Sequence, residues 1–368
     1  MSAISHAESS MEPVNLAEFE ALARKAVEPQ AFDYISGGAN DEITLASNVE
    51  AFHQYRLRPR MLIDVSSVNL NTTVLSTPIA FPVMVAPTAF QTLAHPDGEL
   101  AMARAAHTAG TAMVVSTLAS HTLEDVARAA PGPKWFQLYC YRERTVTREL
   151  VQRAEASGYS AICLTVDVPR IGQRERDVRN RFSIPPTAFP RNFEHVVDLA
   201  SVPTEEHHSH LAGYVANLLD GSLTWRDVEW LKSITELPVL VKGILTGEDG
   251  QLAVQHGADG VIVSNHGGRQ LDRVPATIDV LEEVVQAVQQ RADVLLDGGI
   301  RRGTDVVIAL ALGAKAVLLG RPCVWGLGAN GEDGARTVLQ MLRDEVELAM
   351  ALCGCTSLSS VTREHVRS

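Results

Sequence analysis

Eight short apolar runs recur along the chain: PVMVAP (82–87), AMVVS (112–116), WFQLY (135–139), AICLTVD (161–167), PVLVK (238–242), VIVSN (261–265), DVLLDGG (293–299) and AVLLG (316–320). Between most of them lie stretches of helical periodicity, among them DGELAMARAAHTAG, TLEDVARAA, VTRELVQRAEASG, LTGEDGQLAVQHGA and TDVVIALALGA. Continuous apolar runs suit strands buried on both faces, and their alternation with helices implies a parallel sheet covered by helices. Eight such units predict an α/β fold of the (β/α)8 TIM-barrel type. The rival, a doubly wound open sheet, places a Gly-rich fingerprint after its first strand. Here the first run leads into APTAF instead.

Helices are expected ahead of the barrel. NLAEFEALARKAV has Asn15 in the cap position and Glu18 three residues later, the spacing of a capping box. SGGAN interrupts the pattern and DEITLASNVEAFHQY resumes it. Residues 1–13 read as a flexible tail and 14–368 as one domain. From Asp167 to Pro238 no barrel strand is legible, and FSIPPTAFPRNFEHVVDLASVPTEEHHSHLAG is rich in Pro and His with little periodicity. The expectation is a long lid-like loop after strand 4, mobile over roughly residues 183–212.

Composition narrows the function classes. Apolar residues make up 46% of the 368, enough for a sizeable core. A net charge of −12 argues against a nucleic-acid or anionic-membrane surface. No run approaches the roughly 18 apolar residues of a membrane helix, and the N-terminus lacks the regions of a signal peptide. The five cysteines, at 140, 163, 323, 353 and 355, are odd in number and lack zinc spacing. They read as reduced buried thiols, with no metal site and a cytoplasmic location.

Catalytic groups of barrels lie at the C-terminal ends of strands. Here those ends offer Pro87-Thr88-Ala89, Ser116, Gln137 and Tyr139, Thr165 and Asp167, Lys242, His266 and Arg269, Asp297-Gly298-Gly299, and Gly320-Arg321. Isolated capping residues and turn glycines would account for any one of them but poorly for the set. DGGIRRGTD after strand 7 and GRP after strand 8 resemble a phosphate site, with Arg301 or Arg321 adding charge-assisted bonds. The phosphate would belong to a cofactor or to a phosphorylated substrate. His266, three residues before Arg269, suits proton removal from an anionic substrate, and Asp167 could orient its imidazole. Arg174 in PRIGQRERD is a candidate second clamp on a carboxylate.

With these residues assembled, the chain resembles the FMN-dependent L-2-hydroxy acid oxidases, the glycolate oxidase and L-lactate oxidase family, over roughly residues 14–360. SNHGGRQLD is the family's signature, and APTAFQTLAHPDGE, FQLY, LTVDVPRIGQRERD, KGILTGED and LDGGIRRGTDV match family segments in order. The resemblance implies FMN as cofactor and O2 as electron acceptor. It makes His266 the base and Asp167 its partner. Tyr34 and Tyr139 would touch the substrate carboxylate or hydroxyl, and Arg174 and Arg269 would clamp the carboxylate. Main-chain groups of Pro87, Thr88 and Ala89 would face the flavin N5 region. Ser116, Gln137 and Thr165 would bond the ring, Lys242 would lie near N1 and the C2 carbonyl, and Ser264 would also contact the cofactor. Asp297 would bind ribityl hydroxyls. Gly299, beside Gly298, would hold the phosphate together with Arg301, Gly320 and Arg321.

The same resemblance implies oxidation of a small L-2-hydroxy acid to the 2-oxo acid with release of hydrogen peroxide, by a hydride or a carbanion route, in a homotetramer or octamer. Leu118 stands where glycolate oxidases usually carry tryptophan, which favours L-lactate over glycolate; Thr88 is what glycolate oxidases carry. A quinone- or dye-linked dehydrogenase and a lactate monooxygenase share these residues and stay open. A non-catalytic flavin-binding protein would not need His266, Arg269 and Asp167.

Overall fold

A computed structural model describes residues 12–193, 213 and 218–368. Eight parallel strands close into a barrel: β1 (Val83–Val85), β2 (Met113–Val115), β3 (Lys134–Leu138), β4 (Ile162–Thr165), β5 (Val239–Ile244), β6 (Gly260–Val263), β7 (Asp293–Asp297) and β8 (Ala316–Leu319). Each falls within or overlaps one of the eight apolar runs. Closure is made by β8 on β1, with Val317 opposite Val83. The protein is therefore the (β/α)8 barrel expected from the alternation.

Side chains alternate between two apolar layers. Met84, Val114, Trp135, Cys163, Leu240, Ile262, Leu295 and Leu318 fill the barrel, while Val83, Val115, Phe136, Leu164, Val241, Val263, Leu296 and Val317 pack outward under the helices. A hairpin of Thr72–Val74 and Thr77–Ile79, not legible in the sequence, adds Val74 and Ile79 to the inner layer. The Trp135 indole N–H donates to Thr77 Oγ1 at 3.1 Å, tying the hairpin to β3. All five cysteines are buried and unbridged.

The helix expected from residue 15 spans Leu16–Ala26, and Asn15 Oδ1 accepts from Glu18 N at 3.0 Å. The reciprocal half differs from a capping box. Glu18 reaches back to the N–H of Val14 (2.9 Å) and the Asn15 side-chain amide (2.7 Å), not to the Asn15 N–H. The next helices run Pro29–Ser36 and Ile43–Glu50, separated by the SGGAN break. The chain after β8 forms one long helix, Arg321–Cys353, bent where Asn330 and Gly331 leave helical geometry.

Among its described residues the segment after β4 carries no barrel strand, as expected, but it holds helices at Glu175–Arg179 and Trp225–Lys232. Its first part is anchored. Asn192 is buried; its Oδ1 accepts from Leu123 N (2.9 Å) and its amide donates to Thr117 O (3.0 Å). Phe182, Ala188 and Phe193 are buried as well. Of the stretch 183–212 expected to be mobile, residues 183–193 are packed in this way, and 194–212 lie outside the described residues, as do 1–11 of the expected tail. Among the described residues no helix is long and apolar enough to cross a membrane.

Candidate active site

The motif after β6 folds in a way its composition explains. His266, Gly267 and Gly268 have φ of 58°, 64° and 73°, three consecutive left-handed residues. That conformation is open to glycine but costs a β-substituted residue about 1–3 kcal/mol. Surrounding bonds over-determine it. His266 N donates to Ser264 Oγ at 3.1 Å, Gly268 N donates to Asn265 Oδ1 at 3.1 Å, and Gly268 O accepts from Ala39 N at 2.8 Å. A Cβ on Gly268 would meet Leu45 N at 2.6 Å, so the helix Ile43–Glu50 can pack here only against glycine. Asn265 and Asn48 exchange amide bonds at 2.8 and 2.9 Å, and Asp272 caps the same helix through Thr44 N at 2.8 Å.

The turn aims His266 into a cleft at the C-terminal end of the barrel, which encloses about 1220 Å³ including its open mouth. Tyr34, Pro87, Thr88, Ala89, Ser116, Leu118, Gln137, Tyr139, Thr165, Arg174, Lys242, Arg269, Asp297, Gly298, Gly299, Arg301, Gly320 and Arg321 line it too. Of the residues singled out in the sequence, only Asp167 and Ser264 do not. Asp167 stands behind His266, its Oδ1 2.9 Å from the imidazole Nδ1. Ser264 is fully buried; its hydroxyl accepts from Lys242 Nζ at 2.7 Å and from His266 N. It links the His266 main chain to Lys242 from beneath.

The bulge in β5 makes room for this pair. Register shifts between Lys242 and Ile244, where Gly243 has φ 112°, and a Cβ on Gly243 would lie 2.7 Å from Asp167 Cβ. Burial pushes the His266 imidazole below its ordinary range, while Asp167 pulls the other way. Burial would raise Asp167, but His266 and Lys242 hold its carboxyl down. The pair at neutral pH is thus an imidazole beside a carboxylate, with Nδ1–H donated to Asp167 and Nε2 left to accept a proton. Burial opposes the Lys242 charge, yet Asp297 and Asp167 raise its pKa. Its Nζ lies 2.8 Å from Asp297 Oδ2.

Four arginines converge on the cleft, and none forms an ion pair among the described residues. Arg269 Nη1 donates to the carbonyls of Tyr34 (2.6 Å) and Gly37 (3.1 Å). Arg321 donates to the carbonyls of Gly267 (2.9 Å) and Gly37 (2.8 Å) and leaves its Nε without a partner. Arg174 Nε and Nη1 are buried and unpartnered. Burial and the charge of Arg174 push Arg269 down to about 10. Burial and the charges of Arg269, Arg301 and Arg174 depress Arg321 well below its ordinary value. Buried cations in this state call for anions. These four cations gather at the barrel mouth of a chain whose net charge is −12.

Neutral groups are also left open. Gln137 Nε2, Thr165 Oγ1 and Asp297 Oδ1 are buried without a partner, while Gln137 Oε1 is fixed by Thr117 N at 3.1 Å. These donors and acceptors beside four buried cations suit a phosphorylated, polar-edged cofactor together with a small carboxylate.

A family profile described as FMN-dependent dehydrogenase matches residues 23–368. Glycolate oxidase of Spinacia oleracea is 54% identical over 97% of this chain and 96% of its own. Glycolate oxidase 1 of Zea mays is 55% identical over 96% of each chain. A crystal structure of mandelate oxidase with (S)-4-hydroxymandelic acid superposes with a TM-score of 0.92 at 43% identity, over 96% of this chain and 98% of that one. The chain belongs to the FMN-dependent 2-hydroxy acid oxidase family. FMN is accordingly its cofactor, and the unpaired buried groups fit it.

Part of the wall of this oxidase cleft leaves no mark in the sequence. Ile35, Val168 and Ile171 line it as well. Isolated apolar residues in loops carry no chemical signal of their own. Their adjacency in the chain to Tyr34 and Asp167 was the available clue.

Proposed function

We propose that the protein oxidises a small L-2-hydroxy acid to the 2-oxo acid with O2 reduced to hydrogen peroxide, and that it favours L-lactate while also accepting glycolate. The observation that carries this reading is the His266–Asp167 pair, 2.9 Å apart, opening onto the same cleft as Arg174 and Arg269. The two guanidiniums hold the substrate carboxylate, Arg174 through its unpartnered Nε and Nη1. Tyr34, whose ring lies under both guanidiniums at 5.7 and 4.9 Å, packs them toward the acid, and Tyr139 offers a hydroxyl that burial keeps protonated. Whether hydride or carbanion is formed, His266 Nε2 takes the proton, and Asp167 stabilises the imidazolium.

Gln137, Thr165, Ser116 and the main chain of Pro87 to Ala89 would hold the flavin ring, with Lys242 bearing on its negative charge and Asp297 on the ribityl chain. Gly298, Gly299, Arg301, Gly320 and Arg321 would take the phosphate. When bound, FMN accepts the two electrons of the substrate C–H bond and passes them to O2. The preference for L-lactate rests on Leu118, 5% exposed at the cleft wall with Ile35, Val168 and Ile171 as apolar company for a methyl group.

Aerobic incubation of the purified yellow protein with L-lactate, glycolate and L-mandelate tests the proposal, with 2-oxo acid and peroxide both measured. Equimolar 2-oxo acid and peroxide, highest for L-lactate, is the expected outcome. Dye reduction without peroxide would make the enzyme a dehydrogenase, and acetate with carbon dioxide a monooxygenase.

A further inference from the structure

A carboxylate outside the cleft bears on its shape. Glu99, the second residue of the helix Gly98–Ala109, is completely buried. Its Oε1 accepts two main-chain bonds at 3.0 Å each, from Gln91 N and from Ser120 N. Its Oε2 lies 3.0 Å from His121 Nδ1. Gln91 belongs to the loop after β1, Ser120 and His121 to the loop after β2. A single carboxyl group therefore spans the two loops that carry Thr88 and Leu118.

Each loop passes the restraint on toward the cleft. The Gln91 amide donates to Thr88 Oγ1 at 2.8 Å and to Thr88 O at 3.3 Å. Phe90 N donates to Leu118 O at 3.1 Å, and Leu118 N donates to Ser116 Oγ at 3.1 Å. The result is a closed circuit from Glu99 through Gln91 to Thr88 and Phe90, across to Leu118, and back through Ser120. Thr88 and Leu118 line the cleft, whereas Glu99 does not. An apolar side chain would fill Glu99's space without the desolvation a carboxyl group incurs, but it would leave two buried N–H groups unpaired.

We infer that Glu99 is a positioning residue that fixes Thr88 against Leu118 and so sets how large a substrate side chain the cleft accepts. The inference rests on the functional reading above. The geometry needs an acceptor at one reach: a glutamine carbonyl supplies it and its amide can donate to His121, while an aspartate is shorter by one C–C bond, about 1.5 Å.

The test uses the FMN-loaded full-length protein as wild type, Glu99→Asp, Glu99→Gln and Glu99→Leu. Two readouts are compared: the ratio of kcat/KM for glycolate and L-lactate, and the visible absorption spectrum of the bound flavin, which needs no turnover. The ratio should change by about tenfold in Glu99→Asp and Glu99→Leu, the scale at which a pocket senses one methylene. The flavin band should shift in the same two variants, and Glu99→Gln should match wild type in both. If Glu99→Leu does not fold, the Asp and Gln variants carry the comparison. A wild-type ratio and spectrum in Glu99→Asp, even with a lowered Tm, would reduce Glu99 to a purely structural group and overturn the inference. So would a Glu99→Gln protein that is altered as much as Glu99→Asp. If wild type oxidises neither acid, the functional reading fails by itself. The spectral comparison then still decides the role of Glu99.

Discussion

Replacing Asp167 by asparagine removes a charge and almost no volume. The carboxylate sits 2.9 Å from His266 Nδ1, with the two side chains 13% and 20% exposed, so solvent screens the pair little. A hydrogen bond to a charged group contributes about 1.5–3 kcal/mol. Here that stabilisation grows as the imidazole takes its proton, so it acts on the transition state. At about 1.4 kcal/mol per factor of ten, kcat/KM should fall about 10- to 150-fold. An asparagine whose amide nitrogen faces Nδ1 would also reverse the tautomer and deepen the loss. The pH dependence has a definite sign. As the proposed base, His266 would act unprotonated, so activity should rise with pH as the imidazolium is lost. Asp167 raises the pKa of His266 against the lowering by burial. Without that charge the acidic limb of the kcat/KM profile moves to lower pH, while the plateau drops. Steady-state rates from about pH 4 to 9, with flavin content measured on each preparation, provide the assay. A plateau within twofold of wild type, or a limb displaced to higher pH, would refute the assigned partnership.

The arginines and the pocket wall give two further tests. Arg174→Met and Arg269→Met should each weaken oxalate binding, and Arg269→Lys should do so despite its charge, because Nη1 alone holds the Tyr34 and Gly37 carbonyls and a lysine lacks the second planar donor for a carboxylate; titration of the flavin absorbance measures this, and wild-type affinity in any variant makes that arginine structural. Leu118→Trp should narrow or reverse a lactate-over-glycolate preference that a buried methyl group sets at about 1 kcal/mol, roughly tenfold; an unchanged ratio of kcat/KM removes Leu118 as the selector.

Much of this site is legible in the amino-acid sequence, for a physical reason. Strands covered on both faces must be apolar throughout, so Val261-Ile262-Val263 ends sharply where Ser264 to Arg269 begin, and the change marks the barrel mouth. Features set by long-range packing leave no such mark. The helix Pro29–Ser36 supplies the Tyr34 carbonyl, and Gly37 just beyond it supplies a second, both to Arg269. Nothing in FDYISGG announces that these oxygens meet residues more than 200 positions away. For Ser264 the sequence marks the motif but not its local bonds, because a strand's end fixes position but not that the hydroxyl accepts from Lys242 and from the His266 N–H. The helix Arg321–Cys353 is hard to read because glycines at 326, 328, 331 and 334 dilute its periodicity. Two of them serve a close approach: a Cβ on Gly334 would lie 2.0 Å from Gly326 O.

Everything proposed for the cleft turns on His266 as the base of a flavin-dependent hydroxy acid oxidation. Anaerobic stopped-flow mixing of the yellow protein with L-lactate measures flavin bleaching directly, apart from oxygen and product release. His266→Gln should remain yellow and bleach at least about 100-fold more slowly than wild type. Bleaching of the flavin-loaded His266→Gln protein at a near wild-type rate would exclude His266 as the base.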